Sequence, residues 1–216
     1  MSRRALLLDY GGVLTAPVDD AFAAFEREQG MPAGAAFASL ASAARTADGG
    51  VIGALERGEL PIEDFEAELR AGLATAGYDV GSEVRLLDGL FAAMEPAGRL
   101  WELVDRARAA GVRTGLLSNS WGFSPYPMAE LEARFDDIVL SGAVGLRKPD
   151  PAIYRLAADR LGVAPTACVF VDDLAGNVRA AARLGMGAVH HTGDDAVTWA
   201  AVTQALGLPP DHPGGT

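Results

Sequence analysis

The chain runs in two rhythms. Leu6-Leu7-Leu8 is a short apolar run that ends abruptly in Asp9, and Gly11 and Gly12 follow at once. A run of this kind, closed by turn residues, reads as a buried parallel strand, with Asp9 at its carboxyl end. The two glycines let the backbone bend sharply or approach a ligand closely. From Pro17 to about Pro96 the pattern is helical and shows no strand. Phe22 and Phe25 share a face that Gly30 closes. Leu55 lies on a second helix ending near Gly58. Pro61 opens a third, with Ile62, Phe65, Leu69 and Leu73 in one stripe, and Leu86, Leu87, Leu90, Phe91 and Met94 form a fourth.

From about Ala97 strands and helices alternate. Leu100, Leu103, Val104 and Ala107 make a helix stripe closed by Gly111. Strands are predicted over Val112–Ser118, Asp137–Ser141, Ala167–Asp172 and Ala188–His190. Asp150 and Pro151 open a helix with Ile153, Leu156 and Leu161 inward, ended by Gly162. A further helix carries Val178, Ala181, Ala182 and Leu184, and a last one runs from Val197 to Leu206. This alternation predicts an α/β protein with a doubly wound, parallel, Rossmann-like sheet. Residues 1–16 and 97–208 form its core, 17–96 an inserted all-helical domain, and 209–216 a loose tail.

Polar groups stand where these strands end. Asp9 ends the first, Ser118-Asn119 the second, and Asp172-Asp173 the fourth; Arg147-Lys148-Pro149-Asp150 follows the third. In a parallel sheet these ends share one edge, which is where ligands of open α/β sheets bind. Carboxylates from two strands make a hard, oxygen-rich pocket suited to Mg²⁺. Asp9 is placed to attack phosphorus and form an aspartyl-phosphate. The Ser118 hydroxyl suits phosphoryl oxygens, and Lys148 supplies positive charge beside nucleophile and phosphoryl group.

Composition narrows the field. Of 216 residues half are hydrophobic, enough for a sizeable core, and the formal net charge is −11. Without a dense basic cluster nucleic acid is not expected as a partner. Cys168 is the only cysteine, so neither an intrachain disulfide nor a thiolate metal site is available. The start of the chain lacks the long apolar core of a signal peptide, and no apolar stretch approaches membrane-spanning length. A soluble cytoplasmic protein is expected. Nothing in the pattern specifies a substrate or an oligomeric state.

The motifs together resemble the haloacid dehalogenase-like superfamily of hydrolases, in the class with a helical cap inserted after the first strand. The matching pieces are Leu6–Thr15, Leu116–Ser120 (Leu-Leu-Ser-Asn-Ser), Gly145–Tyr154 and Val169–Val178, over residues 5 to 192; Leu55–Leu60 resembles cap sequences of this class. The resemblance implies a small phosphorylated metabolite as substrate and Asp9 as covalent nucleophile. Ser118 binds the phosphoryl group with Asn119 beside it, and Lys148 orients and neutralises. Asp9, the Gly11 carbonyl and Asp172 ligate Mg²⁺, Asp173 ligates through water or holds Lys148, and Asn177 supports the loop.

One position departs from the pattern. Phosphatases of the superfamily usually carry a second aspartate, the general acid and base, two residues after the nucleophile; here that residue is Gly11. Positioned acid–base catalysis is typically worth about 10²–10⁴-fold. Its loss points to a good leaving group, such as an anomeric sugar, acyl or aryl phosphate, or to a substitute acid such as Tyr10 or Tyr126. Two alternatives use the same residues. The halide-displacing branch attacks carbon without a metal, against which the Asp172-Asp173 pair argues. A non-catalytic regulatory protein keeps the pocket without turnover. Trp121, Phe123 and Tyr126 form an aromatic loop after the second motif, and Arg45 and Arg57 are cations of the cap. His190 and His191 follow the last strand, away from the acidic edge, and read as structural.

Overall fold

The computed structural model describes residues 4–43, 49–82, 84–94, 96, 98–122 and 126–209. In chain order its elements are β1 (Ala5–Leu8), α1 (Val18–Glu28), α2 (Ala35–Ala43), α3 (Gly50–Glu56), α4 (Ile62–Thr75), α5 (Leu86–Ala92), α6 (Gly98–Ala109), β2 (Arg113–Ser118), α7 (Met128–Arg134), β3 (Asp137–Leu140), α8 (Ser141–Val144), α9 (Pro151–Arg160), β4 (Cys168–Asp172), α10 (Ala175–Arg183), β5 (Gly187–His190) and α11 (Asp195–Leu206). The five strands pair in the order β3-β2-β1-β4-β5, all parallel. β1 is the central strand and is buried along its whole length, which explains its unbroken apolar run.

The twofold period of the strands sorts the core into two layers. Leu6, Leu8, Leu116, Val169 and Val171 pack on one face, against Leu103 and Val104 of α6, Leu131 of α7 and Val202 of α11. Ala5, Leu7, Leu117, Val139 and Phe170 pack on the other, against Ile153 and Tyr154 of α9 and Ala181 of α10. Cys168 is buried in this second layer. Strand order reverses at β1: the chain proceeds through β2 to β3 on one side, then crosses to β4 and β5 on the other. The crevice at such a switch point lies at the carboxyl ends of β1 and β4.

Helices α1 to α5 bury a third cluster, including Phe22, Phe25, Phe65, Leu73, Leu86 and Leu90. The insertion leaves and rejoins the sheet at one place, where Thr15 and Pro96 form an antiparallel bridge. No helix among the described residues is long and apolar enough to cross a membrane.

Several local expectations change. Helices α2, α7 and α8 carry no readable stripe: α2 is Ala-Ala-Phe-Ala-Ser-Leu-Ala-Ser-Ala, and α7 and α8 each bury a single residue, Leu131 and Ser141. Ser141 starts α8 instead of ending β3. In α9 the inward positions are Ile153, Tyr154, Ala157 and Ala158, with Leu156 only partly buried. In α10 Ala180 and Ala181 are buried, whereas Ala182 is exposed. Helix α11 begins two residues earlier than predicted, because Asp194 caps it and accepts from the backbone N–H of Ala196 and Val197. Of the predicted tail, residues 210–216 lie outside the described residues.

One edge acid works against the fold. Asp137 opens β3 with its Oδ2 buried and without a hydrogen bond; the nearest cation is Arg160 Nη1 at 3.8 Å. Burial raises its carboxyl above the ordinary value, and Arg160 offsets this only in part. The unfolded chain therefore ionises Asp137 more readily than the folded one, so the penalty is full at neutral pH and disappears below about pH 3.9. Asp137→Asn is expected to raise the thermal midpoint at pH 7 and to leave it unchanged near pH 3; equal midpoints at pH 7 would refute this.

Candidate active site

Three strand ends deliver their carboxylates and amides to the switch point. The backbone N–H of Asp9 bonds Val171 O at 3.0 Å, continuing the β1–β4 ladder and setting Asp9 beside Asp172. Asp9 Oδ1 accepts from Tyr10 N–H at 2.8 Å and pairs with Lys148 Nζ at 2.8 Å. The same ammonium pairs with Asp172 Oδ2 at 2.7 Å. Lys148 is fully buried, with Nζ over the Phe170 ring at 5.6 Å. Burial alone would lower the Lys148 pKa; Asp172 and Asp9 outweigh it and hold the ammonium above its ordinary value.

The rest of the shell orients this triad. Asn119 clamps the Lys148 backbone, accepting from its N–H at 2.8 Å and donating to its carbonyl at 3.0 Å. Asn177 Nδ2 spans Asp172 Oδ1 and Oδ2 at 3.0 and 3.1 Å, and Leu174 N–H bonds Asp172 Oδ1 at 2.8 Å. Ser118 Oγ shares a hydrogen bond with the Tyr126 hydroxyl at 2.9 Å. The Asp172 oxygens are thus occupied by Lys148, Asn177 and a backbone amide. Lys148 pairs with Asp172 and Asp9, so the expectation that Asp173 holds this lysine does not survive.

Asp9, Asp172 and Asp173 nevertheless offer oxygen atoms within 4.8 Å of one another. Burial lifts the Asp9 carboxyl well above the usual carboxylate range, Lys148 opposing and Asp172 and Asp173 adding to the rise. Burial, then Asp172, pushes Asp173 up to about 6. Negative charge is therefore in excess of what Lys148 balances, which suits an added hard cation. Gly12 makes the approach possible: at φ +70°, a Cβ there would stand 2.5 Å from Asp173 Oδ2. Burial also raises the hydroxyls of Tyr10 and Tyr126, which keeps both protonated.

The predicted residues Asp9, Gly11, Ser118, Asn119, Lys148, Asp173 and Asn177 all line one cavity of about 530 Å³, whereas Asp172 does not line it and is joined to it through Lys148. Phe22, Leu40, Leu90, Phe91 and Met94 of the insertion and Trp121 of the core form much of its wall. Trp121 packs on Phe65 and Phe91, with ring centroids 5.9 and 6.3 Å away. Of the aromatic loop, Phe123 lies outside the described residues, as does Arg45. Arg57 pairs with Glu59 at 2.7 Å and does not line the cavity. His190 is closer to the acids than expected: its Nε2 bonds the Asp173 carbonyl at 2.8 Å, because β5 pairs with β4 up to Asp172.

Glu56 was not singled out from the sequence. It ends α3, is buried, and accepts from Arg147 Nε at 2.5 Å, Asn119 Nδ2 at 3.2 Å and Trp121 Nε1 at 3.3 Å. Its carbonyl accepts from Ser141 Oγ at 2.5 Å. The one available signal was its place in the Leu55–Leu60 stretch.

A parallel sheet with acids gathered at its switch point defines an α/β protein with a candidate active site at that edge. A family model described as haloacid dehalogenase-like hydrolase matches residues 3–185, and the chain belongs to that family. Acyl-CoA dehydrogenase family member 10 of Mus musculus is 30% identical over 193 residues, covering 86% of this chain and 17% of its own length. A phosphatase of Mycobacterium tuberculosis (strain CDC 1551 / Oshkosh) is 36% identical over 130 residues, covering 58% of this chain and 59% of its own. The chain thus spans less than two thirds of these relatives. Among solved structures, a HAD family enzyme from Bacteroides thetaiotaomicron superposes with a TM-score of 0.67 at 21% identity over 90% of this chain and 97% of its own. That enzyme has also been solved with magnesium and inorganic phosphate. A dehalogenase with an intermediate complex superposes with a TM-score of 0.67 at 24% identity over 89% of this chain and 87% of its own. At these identities the superpositions establish the fold.

Two substitutions test the site's construction. Lys148→Met leaves two buried carboxylates without their cation and is expected to cost about 3–5 kcal/mol of unfolding free energy at pH 7. Gly12→Ala forces a left-handed non-glycine residue against Asp173 and is expected to cost about 1–3 kcal/mol. Both are read by urea unfolding followed by tryptophan fluorescence; a loss below about 0.5 kcal/mol in either would contradict the corresponding contact.

Proposed function

We propose that the chain is a Mg²⁺-dependent phosphatase of small cytoplasmic metabolites that works through an aspartyl-phosphate on Asp9. The observation that carries the reading is the single buried ammonium of Lys148 held between Asp9 and Asp172, with Asp173 alongside. The donor set fits the metal: three carboxylates within reach of one another, and the Gly11 carbonyl in the same turn. Because Asp172 is engaged by Lys148 and Asn177, we assign Asp173 and Asp9 as the direct protein ligands, with Asp172 supporting them from behind. Bound there, Mg²⁺ supplies positive charge against the phosphoryl oxygens.

The remaining chemistry belongs to the chain. Lys148 holds Asp9 Oδ1 and leaves Oδ2 to attack phosphorus. The new P–O bond forms as the ester P–O bond breaks, and the leaving oxygen takes a proton from solvent. Ser118 Oγ and Lys148 hold the phosphoryl group, and Asn119 keeps Lys148 in register. Water then attacks the aspartyl-phosphate, releasing inorganic phosphate and restoring the carboxylate. The helical insertion acts as a cap that excludes bulk water.

Gly11 bears on the leaving group. A Cβ at Gly11 would lie 3.3 Å from Met94 Cε and 3.4 Å from Val18 Cγ2. Apolar side chains flank the position where the superfamily's second aspartate stands, and glycine offers no acid there. Phosphates whose leaving groups need little protonation fit such a site. The magnesium and phosphate complex of the Bacteroides enzyme and the mycobacterial phosphatase favour the same reading.

Phosphate release over a panel of esters, with Mg²⁺ or with chelator, is the test. Release is expected to require Mg²⁺ and to fall at least about 10³-fold in Asp9→Asn. Release of halide from a 2-haloacid without Mg²⁺ would replace this reading with displacement at carbon. Binding of Mg²⁺ and phosphate with no turnover would replace it with a non-catalytic role.

A further inference from the structure

We infer that the site selects phosphomonoesters of apolar groups, the phosphoryl end held at Asp9 and Lys148 and a hydrocarbon or aryl group held by the insertion. This rests on the phosphatase reading and names its substrate class. The first ground is the wall. Beyond the polar floor of Ser118, Asn119 and Tyr126, the cavity is closed mainly by aliphatic and aromatic side chains. Trp121 Nε1 is already committed to Glu56. Sugar hydroxyls entering this space would lose water and find few partners.

Charge is the second ground. Among the described residues Lys148 is the only cation lining the cavity, and it is shared by Asp9 and Asp172. The other charged lining residues, Asp19, Glu56 and Asp173, are acids. Glu56 is balanced by Arg147, which does not line the cavity. A second phosphate or a carboxylate on the substrate would meet no free counter-charge there.

The third ground is the mouth. Among the described residues, three large hydrophobic side chains are exposed, and two of them line this cavity: Phe37 of the insertion at 47% and Leu174 of the sheet domain at 58%. Phe37 is stacked edge-on against Phe22, with centroids 5.6 Å apart. Apolar surface left to solvent on two separate elements that line one cavity is what an apolar ligand would cover.

The decisive series holds leaving-group acidity constant while apolar length grows: phenyl, 4-ethylphenyl and 4-butylphenyl phosphate, with glucose 1-phosphate and acetyl phosphate as polar comparators. Calorimetric binding of the matching arylphosphonates with Mg²⁺ runs in parallel. Full burial gives up to about fourfold per methylene, so butyl over phenyl is expected to gain at least about tenfold in kcat/KM and in phosphonate affinity. Phe37→Ser, at a half-exposed position, is expected to flatten that slope. Mg²⁺- and Asp9-dependent turnover with no length dependence, or with the sugar phosphate preferred, would overturn the inference and leave the phosphatase reading standing. Length-dependent phosphonate binding without turnover of any ester would support the apolar pocket and remove the phosphatase reading. Flat binding and no turnover would remove both.

Discussion

One buried ammonium organises the active edge of this molecule. Lys148 is out of contact with water and stands between carboxylates from two adjacent strands, at 2.8 and 2.7 Å. Two desolvated acids at that separation would repel one another, and a desolvated lysine would lose its proton. The two acids hold the ammonium charged, and it in turn offsets part of the cost of ionising Asp9, provided the geometry is kept. The neighbouring side chains keep it: Asn119 grips the lysine backbone on both sides, Asn177 spans one carboxylate, and Phe170 lies beneath the ammonium. The two carboxylates end β1 and β4 and the lysine comes from the loop after α8, so the triad exists only when these distant segments are packed together.

The helical insertion is joined to this edge through Glu56. A buried acid at the end of α3 binds Arg147, Asn119 and Trp121, and Arg147 is the residue next to Lys148. The backbone adds to the contact, since Ser141 donates to the Glu56 carbonyl and a Cβ at Gly58 would stand 2.4 Å from Gly142 O. The cavity wall at Trp121 and the lysine that pairs with Asp9 are therefore tied to one ion pair. Apolar packing does the rest: Trp121 reaches from the sheet domain into the core of the insertion.

The architecture was legible wherever burial imposes a period. Strands buried on both faces show as apolar runs, and helices with one buried face show as stripes at Phe65, Leu69 and Leu73 or Leu100, Leu103 and Val104. Elements without a clear stripe left no trace: α2 is mostly Ala and Ser with Phe37 and Leu40 as its only large side chains, and α7 buries only Leu131. The site was legible because a parallel sheet sends every strand end to one edge. Asp9, Ser118, Asn119, Lys148, Asp172 and Asp173 could be read as a set for that reason, whereas Asn177, on α10, came only with the family resemblance.

The division of labour within that set was beyond one-dimensional reach. Adjacent residues such as Asp172 and Asp173 look alike in sequence, yet alternate side chains of a strand point to opposite sides, so one carboxylate faces Lys148 and Asn177 and the other faces the cavity. Asn119 turns to the Lys148 backbone, Glu56 arrives from a helix 91 positions before Arg147, and Met94 and Val18 come up beside Gly11. The chain's own pattern of apolar runs and strand-ending polar residues carries the fold and the membership of the site, because both follow from period and burial. Which oxygen meets which cation, and what lines the cavity above them, arises only when distant segments pack, because hydrogen bonds and contacts are made at a few ångströms whatever the separation along the chain.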